Sequence, residues 1–290
     1  MATPTPSKSK LRLKTSLDME FYHMPSREGQ GNPPVIFLHG SFHGGWCWSD
    51  WMDLFARRGF ASYAPSLRGT SGSPQREGVK SVQLSEHTED ILSFIDAVLP
   101  PDSPPPVLVG HSFGGMYAQV GVYKRGRNRK RSRVKVRRTS KSTSTSTSTS
   151  TSTSTSKSKS TSKSTRTHLQ KGGKREGYIF SKPRLAWDIV QAFVLKKAGT
   201  DLDICRKIFF SQDNPPDEQV REYMQLFARD SVVGLDVGKV VDAPAVEETA
   251  EFYGCEAKFL PGAHEIMLED TWKENAEFVV DWIEKVGAGK

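Results

Sequence analysis

The chain has 290 residues, 36% of them hydrophobic, which is enough for one large domain with a sizeable core and no more than a small inserted one. Its net charge of +8 is local: 18 Lys and Arg and no Asp or Glu fall between Lys124 and Arg175, so the remainder carries −10 and the overall charge says nothing about what the folded part binds. Three widely spaced cysteines, Cys47, Cys205 and Cys255, match no CxxC pattern and argue against a disulfide scaffold or a cysteine zinc site, while no apolar stretch approaches the roughly 18 residues of a membrane span.

The opening, MATPTPSKSKLRLKTS, lacks the apolar region of a signal peptide. Its Ser/Lys-rich, acid-poor composition leaves a short transit peptide open, but residues 1–17 are expected as a flexible tail of a cytoplasmic chain. MEFYHM then alternates as a half-exposed strand does, and VIFLHG is a short apolar run ending in His39-Gly40. Ser49 to Arg58 is a helix with Trp51, Leu54 and Phe55 on one side, FASYAP a strand, and RGTSGSPQREG a loop of turn formers. Ser85 to Leu99 is a helix whose Ile91, Ile95 and Val98 share a face and whose end is set by Pro100-Pro101. VLVG follows as a strand running straight into HSFGGMYAQ. Strands alternating with helices predict a parallel sheet covered on both faces.

Past the basic tract the rhythm changes. A helix starts at Ser181-Lys-Pro183 and carries Leu185, Ile189, Val190 and Phe193; a second covers Asp201 to Phe210; a third opens at Pro215 and places Val220, Tyr223, Met224 and Phe227 at helical spacing. Three helices without a strand predict a lid over a site. Pro244 to Tyr253 is a further helix and AKFLPGAH a strand. The last helix begins with the capping box Thr271-x-x-Glu274 and carries a stripe of Trp272, Ala276, Val279, Ile283 and Val286.

Three stretches carry chemistry. Gly110, Ser112 and Gly114 in GHSFGG fit a nucleophile elbow, in which a sharp strand-to-helix turn strains the serine and small neighbours let strand and helix approach. In FLHGSFHGGWCW a strand delivers Gly40, so that the Ser41 amide, together with that of Phe113, can form an oxyanion hole. A serine hydroxyl is a poor nucleophile at neutral pH and needs a base; His264, on a loop late in the chain, is the candidate. His43, His87, His111 and His168 sit where ordinary structural roles suffice.

Together these stretches resemble the α/β-hydrolase superfamily, and more narrowly its single-domain serine esterase and lipase-like members. The resemblance covers Val35 to Val120 and Gly177 to Val286. It implies a doubly wound, mostly parallel sheet of eight strands, a helical lid between strands six and seven, and the chain order Ser–acid–His. Carried over, Ser112 is the nucleophile, His264 the base, and Ser41 and Phe113 the oxyanion donors, with no metal or cofactor. The expected layout is an N-terminal core over residues 18–120, an insertion over 121–176, a lid over 177–232 and a C-terminal core over 233–290. Serine at 112, where haloalkane dehalogenases and epoxide hydrolases place a carboxylate, argues against those chemistries.

The pattern breaks in two places. The third triad member should follow an apolar strand in a Gly-x-x-Asp context, yet the corresponding stretch reads SVVGLDVGKVVDAPAVEETA. Asp242 is the nearest candidate, Asp236 the next, and absence of the acid the remaining alternative. The strand expected after the elbow helix is also missing, its place taken by RGRNRKRSRVKVRRTSK and a Ser/Thr repeat. That tract, expected to be disordered, has three readings: a segment that binds RNA or acidic partners, an idle solvated linker, or a retained intron containing a simple repeat. The last accounts best for its abrupt entry inside a helix, and transcript sequences across Gln119 to Tyr178 decide it. The expected function is hydrolysis of a carboxylic ester or similar acyl bond of a small apolar substrate, without a nucleic-acid partner. The alternative is a catalytically defective protein of the same fold.

Overall fold

The computed structural model describes residues 5–27, 29, 31–75, 82–121, 187–188, 191–192, 195, 197–211, 214–227, 247, 250–251 and 254–288. Its centre is a five-stranded mixed sheet built from β1 (Ser7–Arg12), β2 (Asp18–Met24), β3 (Val35–Leu38), β4 (Ser62–Pro65) and β5 (Val107–Gly110), in the order β1-β2-β4-β3-β5. β2 pairs antiparallel with β1 and β4, whereas β3 runs parallel to both β4 and β5.

β3 is apolar at every position because it is enclosed on every side. Val35 and Phe37 join the cluster formed by α1 (Ser49–Arg57) and the last helix, while Ile36 and Leu38 point to the other face, toward α2 (Leu84–Val98) and Tyr117 of α3 (residues 113–121). This gives the double layer of helices that alternating strands and helices predict. α1 carries Trp51, Leu54 and Phe55 inward, and Phe37 packs edge-on against both Trp51 and Phe55. Two helices of the expected lid are present: α4 (Leu202–Phe209), capped by the Asp201 side chain accepting from the Ile204 N–H, and α5 (Asp217–Leu226), with Asp217 and Glu218 at its positive end. α6 (Trp272–Ala288) closes the chain against α1, and Arg58 bonds to Asp281 and Glu284 across the contact.

The crossover through α1 places β4 on one side of β3, and the crossover through α2 places β5 on the other. The loops leaving β3 and β5 therefore diverge from a switch point, where open α/β sheets form their crevices.

Several expectations change. The opening is not a tail throughout: Ser7–Arg12 forms an edge strand with six register pairs to β2, and Lys8 bonds Glu20 at 2.8 Å. Such a strand is held by its ladder and is largely exposed, so it carries no apolar period to read. AKFLPGAH forms no strand; residues 255–260 are irregular and Phe259 is 59% exposed. The sheet has five strands among the described residues rather than eight, and AKFLPGAH pairs with none of them. The buried stripe of α6 runs through Ala276, Val280 and Ile283, and Val286 is exposed. The insertion beyond Gly121 and most of the helices expected at Ser181 and at Pro244 to Tyr253 lie outside the described residues.

Candidate active site

The elbow has the geometry its sequence demands. Ser112 has φ 53°, a left-handed conformation that an L residue adopts only under constraint. The turn is fixed by the His111 N–H donating to Leu38 O, the Gly114 N–H to His111 O and the Gly115 N–H to Ser112 O. Two glycines are steric necessities. A Cβ at Gly114 would lie 2.1 Å from Leu38 O, and one at Gly110 would lie 2.5 Å from the Gly114 backbone, so α3 crosses β3 and β5 at backbone contact. A Cβ at Gly40 would fall 2.9 Å from Ser112 Cβ, which brings the loop after β3 directly onto the serine.

That loop is built around two buried histidines. His39 Nε2 accepts the Leu67 N–H at 2.9 Å while Nδ1 donates to Gly40 O at 2.7 Å, and burial lowers its pKa to about 4. His39 is thus a neutral strut holding the backbone ahead of Ser41. Phe42 takes φ 67°, and His43 Nδ1 bonds back to Ser41 O at 2.7 Å. Burial lowers the His43 pKa to about 3, and its Nε2 faces Glu265 Oε2 at 3.3 Å.

His264 arrives on the loop ahead of α6. Glu269, itself buried, accepts the Ala263 N–H at 2.9 Å and the Ser211 N–H at 2.8 Å, tying this loop to the end of the lid. The Glu265 N–H donates to Phe209 O at 3.0 Å. His111, the neighbour of Ser112, donates from Nε2 to His264 O at 2.8 Å, and the two rings lie 4.6 Å apart. Protein atoms packed round His264 lower its pKa to about 4, although the residue is exposed to solvent. It is therefore neutral near pH 7. Glu265 is fully buried, and that burial, reinforced by Glu269, drives its pKa well above the carboxylate range.

The lid lays aromatic rings over this point. Phe209 and Phe227 contact Phe42, Phe227 lies tilted 4.7 Å from the His43 ring, and Phe209 lies 6.0 Å from the His264 ring. Phe210 and Tyr223 stack on each other behind them. Phe193 lies outside the described residues.

Of the residues singled out in the sequence, Ser112, Phe113, the Ser41 loop and the His264 loop meet at the C-terminal ends of β3 and β5. Asp242 and Asp236 lie outside the described residues. Sequence reasoning did not find the buried set His43, His111, Glu265 and Glu269. They come from three distant segments, and the only signal was the adjacency of Glu265 to His264.

Comparison with known proteins finds likeness in the segment that contains Ser112. The model of the Alpha/beta hydrolase family matches residues 35–138, from β3 through the elbow. Over this segment the chain is similar to the α/β-hydrolase family. A carbendazim hydrolyzing esterase of Nocardioides sp. is 35% identical over 81 residues, covering 28% of this chain and 32% of the relative. Methylesterase 10 of Arabidopsis thaliana is 33% identical over 98 residues, 34% of each chain. The chain thus spans about a third of the length of these relatives. Among solved structures, epoxide hydrolase A of Mycobacterium thermoresistibile superposes with a TM-score of 0.35 at 20% identity, covering 40% of this chain and 34% of that one. A likeness of that degree says nothing about chemistry. Among the described residues no helix is long and apolar enough to cross a membrane.

Proposed function

We propose that the chain is a serine hydrolase that cleaves a carboxylic ester, or a chemically similar acyl bond, of a small apolar molecule. The observation that carries this reading is Ser112 held at φ 53° between β5 and α3, with the His264 loop hydrogen-bonded to its neighbour His111. In this reading Ser112 Oγ attacks the carbonyl carbon and His264, neutral near pH 7, accepts the hydroxyl proton. The charge on the carbonyl oxygen is taken by the Ser41 and Phe113 amides. Phe113 opens α3, so its N–H has no carbonyl one turn back within the helix and the helix dipole adds positive potential there. His264 returns the proton to the departing alcohol, and a water molecule deprotonated by the same ring then releases the acyl group from Ser112.

Asp242 is the proposed third member of the triad, with Asp236 as its alternative. The esterase and methylesterase names of the relatives support an ester as the substrate class, and Phe42, Phe209 and Phe227 support an apolar one. The free thiols of Cys47, Cys205 and Cys255 support a reducing compartment such as the cytoplasm. Ser112→Ala is expected to reduce turnover of a p-nitrophenyl ester by a factor on the order of 10⁴ or more with the fold intact; undiminished turnover contradicts the assignment.

A second reading, a hydrolase fold without effective turnover, is favoured by one observation. Among the described residues β5, the strand that carries Ser112, pairs only with β3. A triad lacking its acid loses about 10⁴ in rate.

A further inference from the structure

We infer that His111, His264 and Glu265 form a binding site for a divalent transition-metal ion, Zn²⁺ foremost, at the mouth of the elbow. Each residue offers one donor atom, and the three donors lie within 4.8 Å of one another. Glu265 Oε2 is 3.8 Å from His111 Nδ1. In a tetrahedral site with bonds of about 2.0–2.1 Å the donors stand about 3.3–3.5 Å apart, so side-chain rotations on the order of an ångström close the set on an ion.

Two features distinguish this cluster from a chance grouping of polar side chains. First, its inner donors are buried and unsatisfied: the side chains of His111 and Glu265 are 9% and 1% exposed, and neither His111 Nδ1 nor Glu265 Oε2 has a hydrogen-bond partner among the described residues. Buried polar atoms left this way are costly, and a shared cation removes the cost at both. Second, the surroundings orient the donors as metal sites do. His111 donates from Nε2 to His264 O, which leaves the Nδ1 lone pair facing Glu265. The ligand loop is itself pinned by Glu269 on Ala263 and by the Glu265 N–H on Phe209 O.

The donor set selects the ion. Two imidazoles and one carboxylate suit Zn²⁺ or Co²⁺, whereas Mg²⁺ and Ca²⁺ call for oxygen ligands. His264, exposed to solvent, gives the ion a way in and leaves a coordination position for water. His43 Nε2, 3.3 Å from the same carboxylate oxygen and likewise without a hydrogen bond among the described residues, is the next donor at hand. The absence of any metal spacing motif in the sequence follows from the separation of the donors, one on the elbow and two on the loop before α6. Binding requires nothing of the hydrolase reading. Its consequence rests on that reading: an ion on His264 occupies the proposed base, so Zn²⁺ inhibits ester turnover and a chelator restores it.

The test is titration of the full chain, stripped with EDTA, with Co²⁺ followed by its visible ligand-field absorption and with Zn²⁺ followed by calorimetry. One ion per chain is expected, with binding weakened at least tenfold by Glu265→Gln and unchanged by Cys255→Ser, which removes the exposed thiol. His264→Ala, at an exposed position, gives the same weakening and serves if Glu265→Gln fails to fold. No binding by the parent chain, or Glu265 and His264 variants that bind as tightly as the parent, overturns the inference. Because neither readout uses an ester, metal binding without turnover would refute the proposed activity and leave the site standing.

Discussion

β3 and β5 lie side by side, run parallel and have similar sequences, VIFL and VLVG, yet they occupy different environments. β3 is flanked by β4 and β5, covered by helices on both faces, and wholly buried. β5 has one partner among the described residues; Val107, Leu108 and Val109 are half-buried and Gly110 is exposed. The difference comes from what the chain does next. After β3 it returns through α1 to build β4, whereas after β5 and α3 it enters a basic Ser/Thr-rich tract whose composition cannot supply an apolar strand. An apolar strand sequence thus specifies strand formation, but its burial is set by its neighbours. The two proposed halves of the oxyanion hole stand on these two unlike supports.

The comparison is sharpest in stability. Phe37→Ala in β3 is expected to cost about 3–5 kcal/mol and Val109→Ala in β5 about 1 kcal/mol, measured by urea unfolding. Equal costs would show that β5 is as enclosed as β3. The elbow glycines repeat the contrast at smaller amplitude. Gly114→Ala drives a Cβ into Leu38 O of the rigid β3 and should cost about 3 kcal/mol. Gly115→Ala, whose Cβ would meet only Gly110 O at 3.5 Å, should be nearly neutral.

The third effect tests the face of β3 that packs on α2 and α3. His87 lies there against Tyr117, with neither ring nitrogen hydrogen-bonded among the described residues, and burial lowers its pKa to about 4. The unfolded chain takes up this proton near pH 6.5 and the folded chain only near pH 4, so stability falls as pH drops through that window. The loss is about 1.4 kcal/mol per pH unit. His87→Leu should remove this component of the acid loss; an unchanged slope of stability against pH would place the His87 ring in water.

Much of this was legible in the sequence because it is locally encoded. β2 to β5, α1 and α2 follow from alternation, apolar runs and turn residues, and the elbow follows from Gly110, Ser112 and Gly114. β1 was illegible because an edge strand is held by its backbone ladder, and Ser7–Arg12 shows no buried face. AKFLPGAH was misread because its residues favour a strand, yet it pairs with none of the five strands described. The packing of His43, His111 and Glu265 depends on three segments meeting, which no local pattern records. Asp236 and Asp242 lie in a stretch with neither a clear strand nor the expected spacing, so the proposed acid was weakly specified from the start.

The central claim is that Ser112 is an activated nucleophile although its strand has one partner among the described residues. Labelling of the full chain with a fluorophosphonate probe, located by peptide mass, tests it most directly. The account predicts stoichiometric modification of Ser112 at pH 7 that is lost in His264→Ala; an unlabelled Ser112 in the folded parent chain, or labelling that persists without His264, would contradict it.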